Sequence, residues 1–382
     1  MENKSERNLL PTASADDWKN RDHKSGCRLF LTISVALFLF SVAVLLLCTG
    51  NSTVAEAYSG TVSAFLRAAL AVFTASLPFS LAETFVLVAP CAFLILLVRA
   101  VVRRFVGGRK GTVKRFIVRV FCLVLCLLSL AIQTFFVCYK RQSVAERWKL
   151  DTAALTEDDL YASAAITLHL AEHYRNLLTA DAKGTTQIPY NFSVLTQKVR
   201  KGYETFLPMP PVLSIKPVAL SEAWTYTHIT GMYMPLTGES NINMNFPGYV
   251  RAFTVCHEVA HQLGIAYESE ANFYAFLACM LSEDDYLRYA GALNAFEYLA
   301  ADLETEKAVV LYRAADMQVL NEIRAFNAFF EKYLTSSAAK VSDTINDGYL
   351  KSQGVVTGTK NYSEVSRLIA AYLKQQFPEY YA

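Results

Sequence analysis

The sequence has little net charge: Lys and Arg together number 36 against 34 for Asp and Glu, a balance of +2 in 382 residues. That excludes the strongly basic surface a nucleic-acid binder needs. Cysteine is scarce outside the apolar stretches. Of eight cysteines, Cys27, Cys48, Cys91, Cys122, Cys126 and Cys138 lie in or beside apolar runs of the first 140 residues, leaving Cys256 and Cys279 for the remainder. No disulfide framework is built that way, and no Cys-x-x-Cys pair offers a zinc site. Cys256 and Cys279 read as two buried free thiols, a bridge between them being the alternative. Internal repeats and low-complexity tracts are missing as well.

What is present in excess is apolar surface. Hydrophobic residues make up 53% of the chain, and the surplus is concentrated before residue 140. Leu29 to Cys48 carries no charge and has the length of a bilayer crossing. Val120 to Tyr139 is a second such run, and Thr84 to Val98 a shorter one that Glu83 and a snorkelling Arg99 can extend. The apolar stretch Thr61–Ala82 carries Arg67 and the break Leu77-Pro78-Phe79. Counting it as a fourth span would place the basic linker Arg99–Arg115 opposite the basic tail, and both belong in the cytoplasm under the positive-inside rule. Three spans are therefore expected, at about 29–49, 80–101 and 117–139, with an interfacial or re-entrant segment at 61–78. A cleaved signal peptide does not fit an apolar core this long with two more spans behind it. The expected organisation is a cytoplasmic tail, 1–28, a membrane domain, 29–139, and an extracytoplasmic domain, 140–382.

The last part has ordinary composition and enough length for one core. Trp148 to Ala180 repeats Leu160, Ala164, Leu168 and Leu177 at helical spacing. After Pro208-Met209-Pro210-Pro211, the segment Val212–Phe246 is richer in strand formers. Gly231–Pro235 reads as one strand, and Asn241–Phe246 as another with one buried face. Tyr249–Leu263, Glu268–Leu281, a long amphipathic run from Asp284 to Thr335, and Ser363–Gln376 read as helical.

The chemistry centres on His257-Glu258-Val259-Ala260-His261. On a helix, residues four apart lie about 40° apart round the axis and about 6 Å apart along it. Both imidazoles can then reach one zinc ion, and Glu258 can reach its water as general base. A catalytic zinc needs a third protein ligand. A straight helix would leave Glu268 about 16 Å from His257 along the axis. The chain must turn, and Gly264 permits a left-handed helix end. A second helix from Tyr267 can then point Glu268 at the ion, with Asn272 one turn later holding the carboxylate. Glu270 is the rival ligand.

Glu268-x-x-Ala271-Asn272 resembles the Glu-x-x-Ala-Asp/Asn element of gluzincin peptidases, whose first Glu is a zinc ligand; that register favours Glu268. The string His-Glu-x-Ala-His-Gln-x-Gly followed by Glu-x-Glu-Ala-Asn-Phe resembles the bacterial DUF3810 family of predicted membrane zinc peptidases. The likeness continues in Ala55–Ser59, Leu77–Leu81, Pro235–Asn243, Asn346–Lys351 and Asn361-Tyr362. It implies a mainly α chain: three N-terminal transmembrane helices, then a zincin-like α+β domain with a small sheet beside the His-Glu-x-x-His helix. Tyr267 stands where a metzincin presents its third His, so the chain is not of that kind.

His169-x-x-Glu172-His173 matches an inverted zincin pattern, but nothing after it supplies a turn and third ligand. It reads as the polar face of a helix. His228, Tyr233, Glu239, Asn241 and Asn243 are further candidates, because a strand beside the zinc helix can pair with an extended substrate. Tyr349 or Tyr362 could stabilise an oxyanion. The expected function is zinc-dependent peptide-bond hydrolysis, with Zn2+ on His257, His261 and Glu268, Glu258 as general base, a peptide or protein as substrate and the lipid bilayer as partner. The alternative is a non-catalytic, zinc-stabilised envelope protein that binds a partner or wall component. An intramembrane protease is disfavoured by Glu258, Glu268, Glu270, Glu283, Asp284 and Asp285, too many charges for a lipid-facing span.

Overall fold

The computed structural model describes residues 15–108, 111–334, 337, 340 and 362–381. Two compact units emerge: Met1–Val44 with Leu87–Ile132, and Leu45–Val86 with Gln133–Ala382. The chain is mainly helical, with one small sheet.

The first unit is formed by parts of three long helices, α1 (Ala15–Gly50), α4 (Leu81–Phe105) and α5 (Thr112–Thr134). Three stretches, Gly26–Gly50, Leu81–Phe105 and Thr112–Thr134, are long and apolar enough to cross a membrane. The third stops five residues short of the expected Tyr139. Phe135 leaves helical geometry (φ −140, ψ −43), and Phe136–Lys140 is a 3-10 turn.

The second unit includes the segment between the first two spans: α2 (Ser52–Tyr58), a π turn (Ser59–Ser63) and α3 (Ala64–Ala75). Asn51 caps α2, its side chain accepting from the Thr53 and Val54 amides. Further on come α6 (Val144–Trp148), α7 (Glu157–Asn176), α8 (Phe192–Glu204) and the short α9 (Ser221–Thr225). The single helix expected over Trp148–Ala180 is interrupted. Lys149 adopts a left-handed conformation, and a Thr156–Asp159 capping box starts α7 afresh.

The sheet holds β1 (Ile215–Pro217), β2 (Gly231–Met234) and β3 (Glu239–Ile242) in the order β1-β3-β2. The first pair is parallel and the second antiparallel. β3 ends at Ile242 rather than reaching Phe246, and all four of its residues are buried. The one-faced alternation expected there is therefore wrong: the central strand is covered on both sides.

Five helices follow: α10 (Gly248–Gln262), α11 (Glu268–Met280), α12 (Asp285–Asp302), α13 (Thr305–Ala314) and α14 (Met317–Glu331). The last three divide the run expected to be continuous from Asp284, because Leu303-Glu304 and Ala315-Asp316 turn to extended backbone. A final helix covers Tyr362–Gln376. The core is built from Phe273, Tyr274, Phe276, Leu277, Tyr289 and Phe296, all essentially inaccessible. Cys256 and Cys279 are free thiols in this core with sulfurs 3.4 Å apart, joining α10 to α11.

Candidate metal centre

The centre is organised by the end of α10. The helix closes at Gly264, with φ +87. The Ile265 amide donates to the Ala260 carbonyl at 3.0 Å and the Gly264 amide to the His261 carbonyl at 2.9 Å. These are the paired bonds of a Schellman end. They reverse the chain so that α11 opens with Glu268 facing back to α10.

His257 Nε2 and His261 Nε2 are 3.0 Å apart. Glu268 Oε2 lies 3.1 Å from the first and 3.5 Å from the second. Among the described residues these three form the one group of His, Cys, Asp or Glu with metal-ligand spacing. Two ligands of a tetrahedral zinc, each about 2.0–2.1 Å from the ion, stand about 3.3 Å from one another. The observed spacings match that requirement.

The ring protons point outward. His261 Nδ1 is 2.7 Å from the Ile265 carbonyl oxygen, which can only accept, so Nδ1 is the donor. His257 Nδ1 meets Asn272 Oδ1 at 2.7 Å, and the same oxygen accepts from Tyr298 OH at 3.3 Å. In the neutral rings both Nε2 lone pairs therefore face Glu268. Asn272 was expected to hold the Glu268 carboxylate; it holds His257 instead, because the α11 face one turn beyond Glu268 lies against that ring. Such outward bonding is what orients metal-ligating imidazoles.

The electrostatics follow from this convergence. Burial disfavours a charged His261, yet the Glu268 carboxylate beside it, helped by Glu258, raises its pKa to about 9. Burial likewise resists ionisation of Glu268, but His261 and His257 hold its carboxyl well below the usual range. A proton is thus strongly favoured between the rings and the carboxylate.

Glu258 projects to the strand side. It is buried, and its Oε2 has no hydrogen-bond partner. Burial pushes its carboxyl up, against the pull of His257 and His261. Gly231 of β2 makes room for it: a Cβ there would stand 2.7 Å from both Cγ and Oε1 of Glu258.

Residues 58–370 match a family described as "Protein of unknown function (DUF3810)". The chain belongs to the DUF3810 family. No curated protein and no solved structure matches it. In this DUF3810 protein the other sequence candidates fall elsewhere. Glu270, two residues past Glu268 and so about 200° round the helix, accepts from the Val144 amide at 2.7 Å and faces Arg147 at 3.6 Å. Glu239 accepts from the Leu81 and Ala82 amides at 3.0 and 2.8 Å, capping α4. Asn241 bonds Ser80 and the Met232 carbonyl, and Asn243 bonds Thr225 and the Ile229 carbonyl. His228 reaches the Tyr333 carbonyl at 2.8 Å. Tyr233 packs on Phe135, which lies edge-on to His261 with ring centroids 6.0 Å apart. His169 and His173 are exposed, and Glu172 accepts from the Asp316 amide. Tyr349 and the Tyr362 side chain lie outside the described residues.

Sequence reasoning missed Arg67 as a part of this centre. Its Nε donates to the Gln262 carbonyl at 3.2 Å and its Nη2 to the Leu263 carbonyl at 3.3 Å, so a guanidinium closes the helix that carries both histidines. A lone charge in an apolar stretch was the available signal. Gly231 and Tyr298 gave none.

Proposed function

We propose that this DUF3810 protein is a membrane-anchored, zinc-dependent peptidase of zincin type, with its metal-binding domain on the extracytoplasmic side. The observation that carries the reading is the convergence of two Nε2 atoms and a carboxylate oxygen within 3.5 Å of one another, beside a buried Glu258 Oε2 without a hydrogen-bond partner. Among the described residues three protein groups converge rather than four, the number expected of a catalytic rather than a closed structural site.

His257, His261 and Glu268 would hold the ion. Zinc bound there supplies Lewis acidity, lowering the pKa of water and polarising a carbonyl. Glu258, its pKa raised by burial, takes the proton of the attacking water on Oε2 and returns it to the leaving amine. Asn272 and Ile265 keep the rings turned so that Nε2, not Nδ1, faces the site. Among the described residues β2 pairs with β3 alone, and its other edge would align an extended peptide. The extracytoplasmic placement is supported by the basic tail and the basic linker between the second and third spans.

The test is metal analysis and peptide hydrolysis by the full-length protein in lipid. Wild type should carry one zinc and cleave, Glu258→Gln should carry zinc and not cleave, Glu268→Ala should lose most of the metal, and Glu270→Ala should keep it. Full activity in Glu258→Gln would remove the mechanism.

A further inference from the structure

The segment Ser52–Ala75 is inverted relative to an ordinary surface helix. Its inner face, Ala55, Ser59, Ser63, Arg67, Ala71 and Thr74, is small or polar and buried. Most polar side chains of that face are bonded, the Ser59 hydroxyl excepted. Arg67 holds the α10 end, Thr74 Oγ1 meets Ser214 Oγ at 2.9 Å, and Lys216 Nζ reaches the Ala75 carbonyl at 3.3 Å. The outer face is apolar and open: Val62, Phe65, Val72 and Phe73 are exposed, Phe65 by 72% and Phe73 by 64%. Between residues 51 and 80 only Glu56 and Arg67 carry charge. Arg67 is buried, and Glu56 is tied to Arg141.

An uncharged apolar face of this kind needs a cover, and the chain indicates which. The segment begins two residues after one candidate span and ends six before the next. Its outer face is therefore tethered at both ends to hydrocarbon-crossing helices. The third candidate span ends at Thr134, and the next residue is Phe135, whose ring lies against His261. One peptide unit is about 3.8 Å, so the metal-binding residues stand within a few residues' reach of the point where a span leaves the bilayer.

We propose that the outer face of Ser52–Ala75 is immersed in lipid, and that it thereby holds the His257–His261–Glu268 centre at the bilayer surface, to act on polypeptides anchored in that membrane, beside their own spanning helices. The substrate half of this rests on the hydrolase reading above; the lipid half does not.

The experiment uses the full chain in vesicles of phosphatidylethanolamine and phosphatidylglycerol. Benzoylphenylalanine is placed at Phe65, at Phe73 or, as control, at Leu177, which is exposed at the end of α7. Irradiation should attach phospholipid at 65 and 73 but not at 177. Adducts to a second copy or to another part of the same chain, or no phospholipid adduct, would overturn the lipid face. In parallel, one mixed-sequence peptide is offered either fused to a membrane-spanning helix or free. The anchored form should be cleaved faster by about tenfold or more, through its raised effective concentration. The Phe65→Glu/Phe73→Glu variant should lose that preference and keep its zinc. Equal rates for the two forms would overturn the membrane-substrate assignment. Phospholipid adducts with no hydrolysis of either form would overturn the hydrolase reading and its substrate while upholding the lipid face.

Discussion

The Arg67 guanidinium occupies the space that a side chain on Gly264 would need: a Cβ there would stand 2.5 Å from Nη2 and 2.8 Å from Cζ. Two requirements meet at this glycine. The turn needs a positive φ, and the arginine needs to reach the carbonyls that the turn leaves exposed. Gly264→Ala should cost about 2 kcal/mol or more, part from left-handed backbone and part from displacing Arg67. Thermal unfolding of the full-length protein measures it, and zinc affinity should fall alongside because the same turn aims Glu268. Unchanged melting would show that the turn is not strained by a side chain.

Arg67 makes its own prediction. It is buried and donates to the carbonyls of Ser59, Thr134, Gln262 and Leu263. In Arg67→Leu those carbonyls lose the guanidinium, the Thr134 carbonyl keeping Ser63 Oγ as a donor, at about 1–3 kcal/mol for each one left unsatisfied. Unfolding should shift by several kcal/mol in total. Arg67→Lys should recover only part, since an ammonium cannot reproduce the planar fork.

Asn272→Ala should weaken zinc binding about 10–100-fold, the usual effect of losing the partner that orients an imidazole. Tyr298→Phe, one hydrogen bond further out at 3.3 Å, should have a smaller effect in the same direction. Competition with a chelator reads both. Equal affinity in Asn272→Ala and wild type would mean that the His257 ring is held by packing alone.

Gly231→Ala separates metal binding from turnover. The added Cβ meets Thr254 Cγ2 at 2.6 Å and Glu258 at 2.7 Å, not the histidines. Zinc content should stay near wild type while kcat falls, by about tenfold or more if Glu258 is pushed from its place. Loss of zinc in this variant would indicate that β2 supports the ligands as well.

Burial pushes the Glu270 carboxyl up to about 7, against the Val144 amide and Arg147. A group whose pKa is raised on folding contributes its stability below its unfolded value and loses it as pH rises through the folded value. Wild type and Glu270→Gln should therefore be similar near pH 4, and the variant should gain up to about 3 kcal/mol relative to wild type by pH 8. Chemical unfolding of the two proteins across that range tests the sign; a variant less stable at pH 8 would show that the Arg147 pair outweighs burial.

How far the sequence could be read varied with the physics of each part. The three long apolar helices were visible because a hydrocarbon core imposes length and composition. The His257–His261–Glu268 grouping was expected because four-residue spacing and a helix-ending glycine are local constraints. Contacts across distant segments were not legible. Nothing in the local pattern of Asn272 distinguishes holding a carboxylate from holding an imidazole. β1 has three residues and parallel pairing, so its partner β3 lies more than twenty residues away in sequence. Glu239 and Asn241 looked like a substrate strand's polar face; their partners, Leu81, Ala82 and Ser80, lie about 160 residues earlier.

The clasp between β3 and the start of α4 bears on how this protein can be handled, and on how a cell could use it. Excising residues 140–382 would leave the Glu239 carboxylate buried without the Leu81 and Ala82 amides, Lys216 without its carbonyls, and the metal helix without Arg67. Shedding by a cut near Lys140 would then release a damaged core. The fold that carries this centre therefore includes residues on both sides of Lys140, and the two are inherited together.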